Sequence, residues 1–217
     1  MMYKVAFLFD RTNNWIEKPV RSALGAMKEL EKKHFYSFFY EAQEVNGFDV
    51  VFILGYTKIL PSEFLKQNAL NLIVHESDLP RGKGFAPVQW QVLEGKNKIP
   101  VCLAEAITQV DAGDIFLRSE ISLTGYELFD EIRQKQAIIT VELMHDFLIR
   151  YPEYTRTPQS GLETFFPRRS DKDDLLNSEM TIKEQFNHFR IADNEKYPVY
   201  FKLDGRKYFL RIDCDKS

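Results

Sequence analysis

Short, almost wholly apolar segments alternate with amphipathic ones through the first half of this chain, and this alternation most restricts its fold. Residues 3–9 are apolar except for Lys4, and residues 49–54 are nearly as hydrophobic. Strands buried on both faces have this composition, which is typical of parallel sheets covered by helices. Between these strands, residues 15–33 carry apolar side chains every three or four positions, which predicts an amphipathic helix. Strand, helix and strand in this order predict a doubly wound α/β fold.

The chain continues as a succession of strands and helices. Further strands are predicted at residues 34–39, 70–74, 100–106 and 115–122, and helices after Ser62 and at residues 87–94, 126–150 and 181–191. We therefore predict a mostly parallel, Rossmann-like sheet in residues 1–150, which form the core of the protein. Residues 151–217 are predicted to be an extension packed on that core. It contains an ordered crossing segment over residues 151–174 and then a β-hairpin over residues 197–212, where Asp204-Gly205 indicates a type I′ turn.

Charge and cysteine content exclude several classes of protein. The 217 residues include 29 Lys and Arg against 32 Asp and Glu, a net charge of −3, and carry no long basic run, so a nucleic-acid partner is not favoured. Cys102 and Cys214 lie far apart, which predicts neither a disulfide framework nor a metal site and fits a reducing cytosol. The N-terminal apolar run is too short for a signal segment or a membrane span. We expect a cytoplasmic protein without a membrane partner.

A histidine emerges from a predicted buried strand and meets a glycine-rich loop. In open α/β sheets ligands bind beyond the carboxyl ends of strands, and Asp10, Gly55 and His75 occupy such ends. A second polar cluster contains Asp111, and we predict that His75 and Asp111 form the reaction centre. Each has a plainer alternative: His75 can be bonded to a backbone carbonyl, and Asp111 can be a turn former before Gly113.

Five motifs in register resemble the folate-dependent formyltransferases. They are Ile59-Leu60-Pro61; His75 with Ser77, Leu79-Pro80, Arg81-Gly82 and Pro87; Asp111-Ala112-Gly113-Asp114-Ile115; Pro167-Arg168-Arg169 with Asp173; and Arg190 with Tyr197-Pro198. The resemblance covers nearly the whole chain. It is to a group that includes methionyl-tRNA formyltransferase, glycinamide ribonucleotide transformylase and the sugar N-formyltransferases.

One position departs from the family pattern. The family places an asparagine two residues before the histidine, and this chain has Ile73 there. Asn71 is no simple substitute, because four residues of extended strand place it about 13 Å from His75. Either Ser77 or a backbone N–H supplies the missing donor, or activity is slower or absent.

The resemblance implies transfer of a formyl group from 10-formyltetrahydrofolate to an amine. It assigns His75 to oxyanion stabilisation and proton transfer, and Asp111 to orienting the imidazole and accepting the amine proton. The predicted folate-binding residues are Ile59, Leu60, Pro61, Val110, Asp111 and Asp114. For the first three, ordinary loop packing is the alternative to lining an apolar pterin pocket.

Two loops are candidates for binding the acceptor. Thr12, Asn13 and Asn14 precede the first predicted helix, where backbone amides favour a phosphate, although N-capping explains the same residues. Arg81 and Lys83 can meet a diphosphate, with solvated loop charges as the alternative.

We infer the identity of the acceptor amine mainly from the C-terminal part of the sequence. The tRNA-acting members of the family carry an additional C-terminal barrel, whereas five residues follow Ile212 here. The glycinamide ribonucleotide enzymes have a phosphate loop richer in glycine. The hairpin over residues 197–212 is more similar to the tail of sugar N-formyltransferases and also offers an edge for a homodimer. We expect a nucleotide-linked amino sugar used in surface glycan assembly. A glycinamide ribonucleotide-type transformylase and a non-catalytic folate- or sugar-nucleotide-binding relative are the alternatives.

Overall fold

The computed structural model describes residues 2–27, 30 and 32–215, and its centre is a six-stranded sheet. The strands are β1 (Tyr3–Phe9), β2 (His34–Phe39), β3 (Val50–Leu54), β4 (Asn71–His75), β6 (Lys98–Glu105) and β7 (Ile115–Ser122), in the order β2-β1-β3-β4-β6-β7. Strands β2, β1, β3 and β4 are parallel, and β6 runs antiparallel to both of its neighbours. The predicted doubly wound, mostly parallel α/β fold is therefore confirmed.

Five α-helices connect or cover the strands in the part of the chain described. They are α1 (Glu17–Ala26), α2 (Ser62–Gln67), α3 (Pro87–Leu93), α4 (Phe129–Arg150) and α5 (Phe186–Arg190), with short 3₁₀ turns at Ala42–Glu44 and Asp171–Asp174. None of these helices is long and apolar enough to cross a membrane. The helix predicted at residues 15–33 is shorter than expected: α1 ends at Ala26, and Lys28, Glu29 and Glu31 lie outside the described residues.

Helix starts and ends differ from prediction where local hydrogen bonds decide them. Helix α4 begins at Phe129 rather than at residue 126, because the Glu127 carboxylate accepts the backbone N–H groups of Thr124 and Gly125 in a preceding turn. Helix α5 is confined to Phe186–Arg190, although residues 181–191 had been predicted to be helical.

The two faces of β1 and β3 explain their apolar sequences. On one face, the Phe7 and Phe52 rings stack at 5.5 Å between centroids, and Phe147 of α4 meets Phe52 edge-on. On the other face, Leu8 and Ile53 pack in a second buried cluster. Burying each such side chain stabilises the fold by about 1.5–3 kcal/mol, so helices must cover both faces of these strands.

The strand order reverses between β1 and β3, and in open α/β sheets ligands bind beyond the carboxyl ends of strands at such a reversal. Asp10 and Gly55 follow directly after the two strands, and His75 ends the neighbouring strand β4. The Asn13 side-chain amide joins the two loops by donating to the Gly55 carbonyl at 2.9 Å. The three strand ends that the sequence singled out therefore lie at the same edge of the sheet.

The C-terminal part of the chain pairs with segments of the preceding core. Strand β8 (Phe165–Phe166) pairs with the two-residue strand β5 (Lys83–Gly84) in the glycine-rich loop after His75. Thr157 forms a bridge with Ile115 at the start of β7. The hairpin consists of β9 (Tyr200–Leu203) and β10 (Arg206–Phe209). Its turn residues Asp204 and Gly205 have φ of 49° and 77°, as a type I′ turn requires.

Candidate active site

His75 is the last residue of β4 and is held in place through one ring nitrogen. Its side chain is buried, and Nε2 lies 2.8 Å from the Gly82 carbonyl oxygen. A carbonyl oxygen only accepts hydrogen bonds, so Nε2 is the donor. This is the structural bond that the sequence offered as an alternative, and it leaves Nδ1 facing the opposite side of the ring.

Asp111 lies on that opposite side. Its Oδ1 is 3.6 Å from His75 Nδ1, and its Oδ2 accepts a hydrogen bond from the Gly84 backbone N–H at 2.9 Å. The loop reaches this point because it turns back tightly at Gly113, where a Cβ would lie 2.1 Å from the Glu105 carbonyl oxygen. The structure thus brings together the imidazole and the carboxylate that the sequence paired.

The geometry of the pair is suited to moving a proton. A separation of 3.6 Å is longer than a hydrogen bond but within the range of an ion pair. With Nε2 fixed as a donor, Nδ1 is the nitrogen that can take up a proton from a substrate or donate one to a developing oxyanion. The adjacent carboxylate can accept a hydrogen bond from Nδ1–H and so orient the ring.

Two residues that support this pair were missed by sequence reasoning. Thr164 Oγ1 accepts a hydrogen bond from Gly82 N–H at 2.8 Å and so helps to hold the residue whose carbonyl oxygen bonds His75. Gln159 Nε2 donates to the carbonyl oxygens of Asp111 and Gly113 at 2.9 and 2.8 Å. Both residues belong to the crossing segment. Because they lie far along the chain from their partners, no local spacing signals them.

The glycine at position 82 is required by this arrangement. Its φ is 72°, and a Cβ there would lie 2.7 Å from the Phe166 ring and 3.0 Å from the Ser77 Cβ. A side chain at Gly82 would therefore displace the carbonyl that anchors His75.

The position of the family asparagine is apolar in the structure as well as in the sequence. Ile73 lies on the same face of β4 as His75 and packs against two apolar clusters. The Asn71 amide is not a substitute, since it donates to the Leu65 carbonyl at 3.0 Å. Ser77 is the polar side chain that stands out nearby: it is 2% exposed, and its hydroxyl has no hydrogen-bond partner among the described residues.

The corner between β1 and β3 is organised by Asp10, a residue the sequence placed at a strand end without a role. Thr12 and Thr57 each donate a backbone N–H and a hydroxyl to its carboxylate. Burial raises the pKa of Asp10, but these four hydrogen bonds outweigh it and hold the pKa well below its usual value. Asp10 is therefore a permanently charged structural carboxylate.

This network uses part of the loop predicted to bind a phosphate. The Thr12 donors bond to Asp10, the Asn13 amide bonds to Gly55, and Asn14 is exposed. The alternative of N-capping by Asn13 or Asn14 is wrong, because the N-cap residue of α1 is Ile16 and no side chain caps it.

The predicted folate-binding residues are distributed over two loops. Ile59 is 90% exposed, Leu60 is half-buried against the cluster around Phe64, and Pro61 is exposed and caps α2 in place of the predicted Ser62. In the loop after β6, Val110 is 61% exposed and the Asp114 carbonyl accepts the Glu105 N–H at 2.9 Å.

The two predicted diphosphate ligands differ in environment. Arg81 is exposed. Lys83 is 1% exposed, and its ammonium donates to Glu163 at 2.7 Å. The alternative of a solvated loop charge is therefore wrong for Lys83, which tethers the glycine-rich loop to the crossing segment.

Comparison with known families places this geometry in context. The family described as formyl transferase matches residues 14–147, more than half of the chain. The chain belongs to the formyl transferase family. Its relatives include the methionyl-tRNA formyltransferase of Lactobacillus johnsonii, 32% identical over 164 residues that cover 74% of this chain and 52% of the relative. The chain thus spans about half the length of the curated relatives it matches.

Solved structures share the fold at low sequence identity. The methionyl-tRNA formyltransferase from Clostridium thermocellum has a TM-score of 0.81 at 20% identity, covering 100% of this chain and 94% of that one. HypX from Aquifex aeolicus in complex with tetrahydrofolic acid has a TM-score of 0.78 at 18% identity, covering 98% and 38%. A sugar N-formyltransferase from Shewanella has a TM-score of 0.71 at 13% identity, covering 100% and 99%.

This chain covers almost all of a structure named methionyl-tRNA formyltransferase and almost all of one named sugar N-formyltransferase. These two matches show the shared fold and do not distinguish between the two acceptors.

Proposed function

We propose that this chain catalyses transfer of a formyl group from 10-formyltetrahydrofolate to an amine. The observation that carries the proposal is the buried His75–Asp111 pair at the carboxyl edge of the sheet, in a chain of the formyl transferase family. No covalent enzyme intermediate is needed, so an imidazole and a carboxylate are sufficient for the proton transfers.

Formyl transfer requires the net movement of one proton, from the acceptor amine to N10 of the folate. The neutral acceptor amine attacks the formyl carbon and forms a new C–N bond, and the carbonyl oxygen becomes an oxyanion. His75, protonated at Nδ1, donates to that oxygen, because Nε2 is held by Gly82. The bond to folate N10 then breaks, and the proton lost by the attacking amine is delivered to N10. The His75–Asp111 pair carries this proton between the two nitrogens.

Two loops after neighbouring strands carry exposed apolar side chains suited to a folate. Ile59 follows β3 with 90% of its surface exposed, and Val110 precedes Asp111 with 61% exposed. Exposed apolar side chains next to buried polar groups are the composition of a ligand pocket. Ile59, Leu60, Pro61, Val110, Asp111 and Asp114 would hold the cofactor, which supplies the formyl group when bound.

For the acceptor we propose a nucleotide-linked amino sugar. The C-terminal hairpin after a core of residues 1–150 supports this choice, and a sugar N-formyltransferase is among the solved structures that share the fold. A second candidate, an aminoacyl-tRNA, is supported by the 32% identical relative and by the higher TM-score of 0.81. The hairpin also remains our proposed surface for a homodimer.

A direct assay distinguishes these acceptors. The protein is mixed with 10-formyltetrahydrofolate and, separately, with uridine- and thymidine-linked 4-amino sugars, glycinamide ribonucleotide and initiator methionyl-tRNA. Mass spectrometry detects the formamide, and absorbance follows release of tetrahydrofolate. We expect formamide with an amino sugar. Formylation of the tRNA alone would contradict the sugar proposal, and folate binding without any turnover would contradict the enzymatic one.

The variant Ile73→Asn tests whether the apolar residue at this position limits the reaction. An amide there adds a hydrogen-bond donor two residues before His75, and we expect turnover to rise about tenfold. Ile73→Val is the matched control, since it changes side-chain volume without adding a polar group. If both variants turn over at the wild-type rate, another donor already serves the oxyanion, and the Ser77 hydroxyl is the next residue to substitute.

A further inference from the structure

Arg133 lies near the start of α4, at the same edge of the sheet as His75. Its guanidinium is half-buried between two aromatic rings, 4.4 Å from the centroid of Trp15 and 5.2 Å from that of Phe129. Stacking of this kind fixes the plane of a guanidinium and leaves its N–H groups directed sideways. The side chain is therefore held in one orientation before any ligand arrives.

The hydrogen bonding of Arg133 is incomplete. One terminal nitrogen donates to Gln136 Oε1 at 2.8 Å, and no carboxylate of the described residues lies within ion-pair distance. Burial lowers the pKa of Arg133, while Glu76 and Asp193, facing it at longer range, raise it. The group remains a cation at neutral pH. By contrast, Lys83 and Arg190, the other cations buried at this edge, contact Glu163 and Glu127.

The contacts of Arg133 connect it to both parts of the predicted site. Gln136, which accepts its hydrogen bond, donates in turn to Glu76, the residue after His75. On the other side, the Trp15 indole nitrogen is 3.7 Å from the position of a Cβ on Gly55, in the loop that Asn13 holds. Arg133 therefore lies between the reaction centre and the loop predicted to bind a phosphate.

We propose that Arg133, stacked on Trp15, binds the diphosphate of a nucleotide-linked acceptor and so positions its sugar amine at His75. The inference rests on the proposed function and assigns the anion-binding residue of that site. A fixed guanidinium with free N–H groups matches two phosphate oxygens, and a partly desolvated position strengthens the contact. Both Thr12 donors are bonded to Asp10, and the buried Lys83 ammonium is paired with Glu163.

Binding of uridine diphosphate, thymidine diphosphate and inorganic pyrophosphate, measured by calorimetry on the full chain, tests the proposal. We expect Arg133→Gln to weaken binding of the diphosphates about 10- to 100-fold and Arg133→Lys to weaken it less. Arg21→Gln is the matched control: Arg21 also lies over a ring, Phe38 at 3.9 Å, but is already paired with Glu17. We expect it to leave diphosphate binding unchanged.

The outcomes separate this inference from the proposed function. Unchanged diphosphate affinity in folded Arg133→Gln overturns the inference, as does a wild-type protein that binds none of the three probes. Loss of affinity for initiator tRNA alone also overturns it. Arg133-dependent diphosphate binding without formyl transfer supports the subsite and contradicts the proposed enzymatic activity.

If Arg133→Gln does not fold, Arg133→Lys tests the inference instead. Its affinity for the diphosphates must fall more steeply with salt than that of wild type, because a bidentate contact becomes a point charge.

Discussion

The two polar corners at the carboxyl edge of the sheet are built in opposite ways. At the corner between β1 and β3, the Asp10 carboxylate receives four hydrogen bonds, all from Thr12 and Thr57. At the end of β4, His75 has one hydrogen bond through Nε2, and its Nδ1 faces Asp111 across 3.6 Å. One corner is saturated with hydrogen bonds, whereas the other keeps a nitrogen and a carboxylate oxygen available.

This difference distinguishes a polar group that stabilises the structure from one that can take part in a reaction. A carboxylate with four donors has a pKa held well below its usual value and changes protonation only in strong acid. A ring nitrogen that makes no hydrogen bond within the protein can gain or lose a proton during a reaction. The saturated corner therefore positions the loops, and the unsaturated corner is the place for chemistry.

The largest effect is expected at the unsaturated corner. His75→Asn removes the group that stabilises the oxyanion and moves the proton, and we expect turnover to fall about 10³-fold or more. Asp111→Asn keeps the shape of the side chain but removes the charge, and we expect a loss of at least about 10²-fold. Single-turnover formation of formamide measures both. If either variant turns over at the wild-type rate while remaining folded, that residue has no part in the chemistry.

The saturated corner is expected to affect stability instead. Asp10→Asn replaces a charged acceptor of four hydrogen bonds, and we expect the free energy of unfolding to fall by about 2–3 kcal/mol. Because the pKa of Asp10 is lower in the folded state, its contribution is complete above about pH 4 and is lost as pH falls further. Urea titrations at pH 7 and pH 3 measure the free energy of unfolding of each protein.

The wild type and Asp10→Asn should therefore differ most at pH 7 and less at pH 3. Asn13→Ala, which removes a neutral contact between the same two loops, is the control and should show no such pH dependence. A difference that grows on acidification would mean that Asp10 is not the stabilising group.

The smallest effect is expected at Thr164, which supports His75 indirectly through Gly82. Thr164→Val removes the acceptor of the Gly82 N–H, and we expect turnover to fall about 3- to 10-fold as the imidazole loses its anchor. Thr164→Ser retains the hydroxyl and should restore most of the rate. A shift in the pH–rate profile of Thr164→Val, without a change in acceptor KM, distinguishes positioning of His75 from general damage.

The fold was largely predictable, for a reason visible in particular segments. The apolar runs at Tyr3–Phe9 and Val50–Leu54 are strands because a sheet covered on both faces needs such sequences. The ends of helices were predicted less well. Glu127 moves the start of α4, and Ile16 rather than an asparagine precedes α1, because single hydrogen bonds decide these points.

The sequence by itself determined the α/β class, the strands and the two residues most suited to proton transfer, since these depend on local composition and on a recognisable motif. Only the tertiary structure decided the environment of each group. It placed Thr164 beneath the loop that holds His75, saturated Asp10, buried Lys83 against Glu163 and stacked Arg133 on Trp15. These contacts join segments far apart along the chain, and their geometry exists only once the sheet and the crossing segment have packed together.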